Sequence, residues 1–216
     1  MDERVDTNAK GKKMETYTVG ILVFDGVEIL DFTGPFEVFS ALWSDPDEQT
    51  KESHPLLRVL TIAPTDQVIT CFGGLQVKPQ ATISNHPPLD VLLVPGGHVT
   101  DVIANPQVVE WIVRQDQHTK LTTSVCTGAL VLAKCGLLSG HRATTHWSAI
   151  ELMRERYPDI EVLSDARFVD EGHIITSAGI SAGIDMSLHV VSRLFGEEAA
   201  ALTARGMEYE SVARAS

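Results

Sequence analysis

Three short runs of β-branched and apolar residues recur along the chain: YTVGILVF (17–24), LLRVLTIA (56–63) and DVLLVPGG (90–97). They lack the strict in-out alternation of a half-exposed strand, so they read as strands buried on both faces of a parallel sheet. LTTSV (121–125) is a fourth strand, and ARFVDEGHIITSAG (166–179) reads as a hairpin turning at Glu171-Gly172. Helical stretches lie between them. NPQVVEWIVRQDQ (105–117) has a capping Asn, Pro at the first helical position and apolar Val108, Val109, Ile112 and Val113 at helical spacing. DFTGPFEVFSALW (31–43) offers Thr33 as an N-cap with Pro35 close to the first turn. SAIELMRERY (148–157) and two C-terminal stretches complete the helices. Strands alternating with helices predict an α/β sandwich with a mostly parallel sheet.

The chain of 216 residues, 44% hydrophobic and 21% charged, suits one globular domain, placed at residues 17–216. Residues 1–16 form a polar lead whose charges cancel and which has no apolar signal core; it is expected to be mobile. The net charge of -12 therefore sits on the folded part, and no basic cluster invites nucleic acid. No apolar run reaches the roughly 18 residues that span a bilayer, so no membrane partner is expected. The three cysteines, Cys71, Cys126 and Cys135, are odd in number and lack metal-ligand spacing. A disulfide framework and a metal site are not expected, and a reducing cytoplasm fits.

In open α/β sheets ligands gather beyond the carboxyl ends of the strands. Three features land there: the turn from Asp25 to Gly34, Pro95-Gly96-Gly97, and Cys126. SVCTG (124–128) sets Cys126 where a strand becomes a helix of about 127–134, closed by Gly136. Small neighbours suit a sharp elbow, and the helix start favours a thiolate, with pKa values of roughly 3.5–7.5 in such settings. A buried cysteine filling space before a helix is the equal alternative. Gly96-Gly97 is either a plain turn or a loop offering N–H groups to an oxyanion. Trp147 reads as core.

The stretches VPGG (94–97), SVCTGALVLAKCGLLSGHRATTHW (124–147) and GISAGIDMSLHVV (179–191) resemble the ThiJ/PfpI superfamily. Within it, LDFTGPFEVF (30–39), SVCTG and ATTHW are most similar to the isocyanide hydratase branch, over about residues 17–209. The resemblance implies a flavodoxin-like three-layer sandwich, a homodimer and Cys126 as the nucleophile. It implies that Asp31 is the acidic partner of the cysteine, where a helix-start carboxylate is the plain alternative. Thr127 stands where many proteases and glyoxalases of the superfamily carry His, which speaks against those activities. His146 matches a histidine near the nucleophile, or is structural; Gly179 and Ile180 line the pocket, or pack.

The implied activity is hydration of an isocyanide, a small-molecule substrate, to an N-substituted formamide through a thioimidate at Cys126. It needs neither metal nor organic cofactor. The alternatives are a glyoxalase- or deglycase-like thiol enzyme, or a ligand- or redox-sensing domain related to the N-terminal half of AraC-type regulators. With no basic helices before Ser216, a DNA-binding role is not expected.

Overall fold

The apolar runs become the centre of a seven-stranded sheet. A computed structural model describes residues 16–42 and 56–210. The expected mobile lead falls, but for Thr16, outside the described residues. Strand β1 (Tyr17–Leu22) leads through helix α1 (Ile29–Ser40) to β2 (Leu57–Ala63). A small hairpin, β3 (Ile69–Thr70) and β4 (Gln76–Val77), and the edge strand β5 (Ala81–Thr82) follow. Strand β6 (Val91–Val94) connects through α2 (Thr100–Ala104) and α3 (Pro106–Asp116) to β7 (Leu121–Val125). Then come α4 (Gly128–Lys134), β8 (Arg142–Ala143), a 3-10 turn (Trp147–Ala149), α5 (Ile150–Arg156) and β9 (Glu161–Val162). The chain ends in the hairpin β10 (Phe168–Asp170) and β11 (Ile174–Ser177), then α6 (Ala182–Phe195) and α7 (Glu197–Gly206).

The strand order is β10-β11-β7-β6-β1-β2-β5. Every pairing in this sheet is parallel except β10 with β11. From β1 the chain crosses one way to β2, and from β6 it crosses the other way to β7. Right-handed crossovers in opposite directions put their helices on opposite faces. Accordingly α1, α6 and α7 pack together on one face, and α2, α3 and α4 on the other. The result is a flavodoxin-like three-layer sandwich. Strands β6, β7 and β11 are buried along their whole length, which is why they read as unbroken runs. Among the described residues no helix is long and apolar enough to cross a membrane.

Helix α3 starts as its sequence predicts: Asn105 Oδ1 accepts the N–H of Gln107 at 3.0 Å, with Pro106 next. Helix α4 closes as expected too, with Gly136 at φ 76 and the N–H of Leu137 reaching back to the Leu132 carbonyl. Two local expectations fail. Thr33 does not cap α1, which starts four residues earlier; its hydroxyl donates to the Ile29 carbonyl inside the helix. The earlier start follows from tertiary pairing, because Val27 bridges Gly97 and the N–H of Glu28 donates to the Gly96 carbonyl. Trp147 is not core: it is 79% exposed. The His146 side chain caps the 3-10 turn by accepting the Ser148 N–H, and Trp147, which begins that turn, stands on its solvent side.

Candidate functional site

Cys126 leaves β7 with φ 58, in the left-handed region that non-glycine residues rarely occupy. Such a conformation persists only where its surroundings hold it. Here the Cys126 N–H donates to the Ser177 carbonyl at 3.1 Å, and the Cys126 carbonyl accepts the Thr145 hydroxyl at 2.9 Å. Gly128 completes the elbow. A Cβ there would lie 2.1 Å from the Val94 carbonyl oxygen, so only glycine lets α4 start hard against the end of β6. Cys126 is consequently inside a walled site and 6% exposed.

Asp31, in the first turn of α1, is fully buried beside it. Its Oδ2 accepts the Gly96 N–H at 3.0 Å. Its Oδ1 is buried with no hydrogen-bond partner, although the carboxyl couples to the Cys126 thiol. The thiol of Cys126 is thus a neighbour that opposes the rise in the Asp31 pKa. Thr127 ties the remaining loop. Its hydroxyl accepts the Gly97 N–H at 3.0 Å and donates to the Gly97 carbonyl at 3.2 Å.

The third wall is the loop after β11. A Cβ on Gly179 would lie 2.7 Å from Cys126 Sγ and 2.7 Å from His146 Cδ2. Gly179 thus brings backbone into contact with the sulfur, with His146 alongside. His146 Nδ1 pairs with the Ser148 hydroxyl at 2.8 Å, which fixes the ring. Ile180, the next residue, is 36% exposed and forms the rim.

The structure therefore brings Cys126, Asp31, Thr127, Gly96, Gly97, His146 and Ile180 to one place. Two expected roles change. Gly96 and Gly97 use their N–H groups on Asp31 and Thr127, so neither is left for a substrate oxyanion in this arrangement. Nor does the elbow lower the thiol pKa. Burial, then the charge of Asp31, pushes it up to about 12, against the N–H and hydroxyl of Thr127, which favour the thiolate. Burial likewise raises Asp31 to about 7, opposed by the Gly96 N–H and the thiol. At neutral pH the thiol keeps its proton while Asp31 stands near its midpoint.

Thr145 and Ser177 hold the elbow through hydrogen bonds to Cys126, and the sequence reading did not mark them. Thr145 lies in the ATTHW run, and its second Thr was the available signal. A cavity of about 160 Å³ lies elsewhere, bounded by Leu22, Phe24, Asp25, Pro64 and Asp101 among others, and contains none of the predicted site residues. Among the described residues no group of three or more His, Cys, Asp or Glu is arranged to hold a metal ion.

Comparison with known proteins places this geometry. Isonitrile hydratase from Pseudomonas putida is 38% identical over 193 residues, covering 88% of this chain and 78% of that protein. The transcriptional regulator GbdR of Pseudomonas aeruginosa is 30% identical over 73% of this chain, which spans only 42% of the regulator's length. A ThiJ/PfpI family protein from Pseudomonas syringae superposes with a TM-score of 0.80 at 28% identity, covering 95% of this chain and 81% of that one. Drosophila melanogaster DJ-1beta shares the fold, with a TM-score of 0.75 at 20% identity, covering 90% and 99%. The DJ-1/PfpI family pattern matches residues 17–193. From its elbow cysteine to its sheet order, this chain belongs to the DJ-1/PfpI family.

Proposed function

We propose that the protein is a cysteine-dependent hydratase that converts an isocyanide to an N-substituted formamide. The observation that carries this reading is the pairing of Cys126 with a buried carboxyl, Asp31, that has an unpartnered oxygen and a pKa near neutrality. Similarity to isonitrile hydratase supports it.

The isocyanide carbon is electrophilic and accepts a soft sulfur nucleophile. As substrate enters, Asp31 takes the thiol proton while Cys126 Sγ bonds to that carbon. Asp31 then gives the proton to the same carbon, leaving a thioimidate, R–N=CH–S–Cys126. Water adds next: Asp31 takes one of its protons as general base and passes it to the nitrogen, and as the tetrahedral adduct collapses its hydroxyl gives the second water proton to Asp31. The C–S bond breaks, the formamide leaves, and Asp31 returns the proton to sulfur. One water is consumed and no redox change occurs. A carboxyl with pKa about 7 can both accept and donate at neutral pH, as the cycle requires. Thr127 steadies the developing thiolate through its backbone N–H.

The unbridged cysteines suit a cytoplasmic setting, and the homodimer implied by the resemblance is part of this proposal, read by sedimentation. The test is incubation with an aryl isocyanide, with formamide followed by mass spectrometry. Turnover abolished by Cys126→Ala supports the hydratase. Stoichiometric binding without turnover turns the reading to a ligand-sensing domain, which the likeness to GbdR favours.

A further inference from the structure

Outside the residues just assigned a role, one polar cluster touches the site's own wall. Arg167 lies immediately before β10, and its carbonyl accepts the N–H of Ala178 at 2.9 Å. Its side chain crosses to the other end of the same loop. There Nη2 donates to the Ser181 hydroxyl at 3.3 Å, and Nε donates to Asp185 Oδ2 at 2.5 Å. Asp185 sits in the first turn of α6, 2% exposed, and also accepts the Tyr209 hydroxyl at 3.1 Å. One residue therefore grips both ends of the segment that carries Gly179 and Ile180.

We infer that Arg167, acting with Asp185, is a positioning residue that holds the Gly179–Ile180 wall against Cys126 and so sets the space over the sulfur.

The chemistry of the guanidinium supports this. A buried carboxylate such as Asp185 is tolerated when a cation pairs with it, and here the guanidinium makes that pairing through Nε. Arginine adds a second donor in a rigid fork, and here that donor goes to the wall, at Ser181. The wall has no slack, because Gly179 already meets the sulfur so closely that a Cβ would overlap it. A shift of about 1 Å at such a contact is enough to change reactivity substantially.

The test uses the full chain and separates charge from fork. Arg167→Lys keeps a cation for Asp185 but cannot hold Ser181 at the same time. We expect its melting temperature to stay close to wild type, while alkylation of Cys126 by iodoacetamide, read by peptide mass, quickens about tenfold. Isocyanide turnover should show KM moving more than kcat. An Arg167→Lys protein that folds normally and is alkylated at the wild-type rate overturns the inference, because Arg167 then only neutralises Asp185. Should that variant lose its fold, Ser181→Ala decides. It removes the wall contact alone, and faster alkylation supports positioning whereas an unchanged rate overturns it. The inference rests on the wall around Cys126, and the alkylation arm needs no hydratase activity. Failure to hydrate isocyanides therefore counts against the proposed function and leaves this test standing.

Discussion

At Cys126 the backbone holds an L-residue at φ 58, so the residue that carries the nucleophile is also a strained one. Cys126→Gly should therefore be more stable than Cys126→Ala by about 1 kcal/mol in urea unfolding, since glycine adopts positive φ without penalty. Both variants should lose turnover. Asp31→Asn separates proton transfer from packing, because the amide keeps the size and can still accept the Gly96 N–H. Hydratase turnover is expected to fall roughly 10²–10⁴-fold, the range general acid–base catalysis contributes, while Cys126 remains open to alkylation. An Asn variant within threefold of wild type would remove the proton carrier from the mechanism. At this scale Cys126 and Asp31 were picked out by motif and residue type, and the fold sets them side by side. Their ionisation was not. The helix start suggested a lowered thiol pKa, whereas burial of both groups in one enclosed site overrides it.

Elements meet at the site with little clearance, and two predictions follow from that. Gly128→Ala would place a methyl group against the Val94 carbonyl, forcing α4 away from β6. Overpacking of this kind costs about 1–3 kcal/mol, visible as a lower urea midpoint. The β10–β11 hairpin is pinned differently. Asp170 Oδ2 accepts His189 Nε2 at 2.7 Å and Arg193 Nη1 at 2.5 Å, both from α6. Burial raises the Asp170 pKa, but these donors and the Gly172 N–H more than offset it and hold it below 3.8. Asp170→Asn should cost about 1–3 kcal/mol at pH 7. Because a depressed carboxylate stabilises only while ionised, the gap from wild type should close as the pH falls below 3.8. The six longer strands and most helices were readable from periodicity, whereas the two-residue strands β3, β4, β5, β8 and β9 were too short to show one, and Asn105-Pro106 marked the start of α3. The start of α1 was not, because a bridge between Val27 and Gly97, distant in sequence, overrode the local Thr33 signal.

Over the whole molecule, Asp31 works against the acid-labile groups. Its pKa is about 7 in the fold and 3.8 as the ordinary value. Below 3.8 both states are protonated and it has no effect. Between 3.8 and about 7 only the unfolded chain ionises, so stability falls as pH rises. Asp31→Asn should flatten that slope and raise stability at pH 8 by about 1–3 kcal/mol, as read from unfolding curves across pH. Retention of a site that destabilises the neutral-pH fold is what a functional carboxyl predicts. Local order in the chain was enough to dictate the layers. Short β-branched runs bounded by turn residues favour buried strands, and such strands joined by right-handed helical crossovers favour a sheet covered on both faces. The assembly of the site needed the third dimension. Asp31, Gly96, Cys126, Thr145 and Gly179 come from five separate segments, and hydrogen bonds between them are invisible to periodicity. Whether Trp147 points in or out, and which N–H groups are already taken, depended on who else arrived at the carboxyl edge of the sheet. Burial, a property of the packed whole and of no single residue, then set the protons on Cys126 and Asp31.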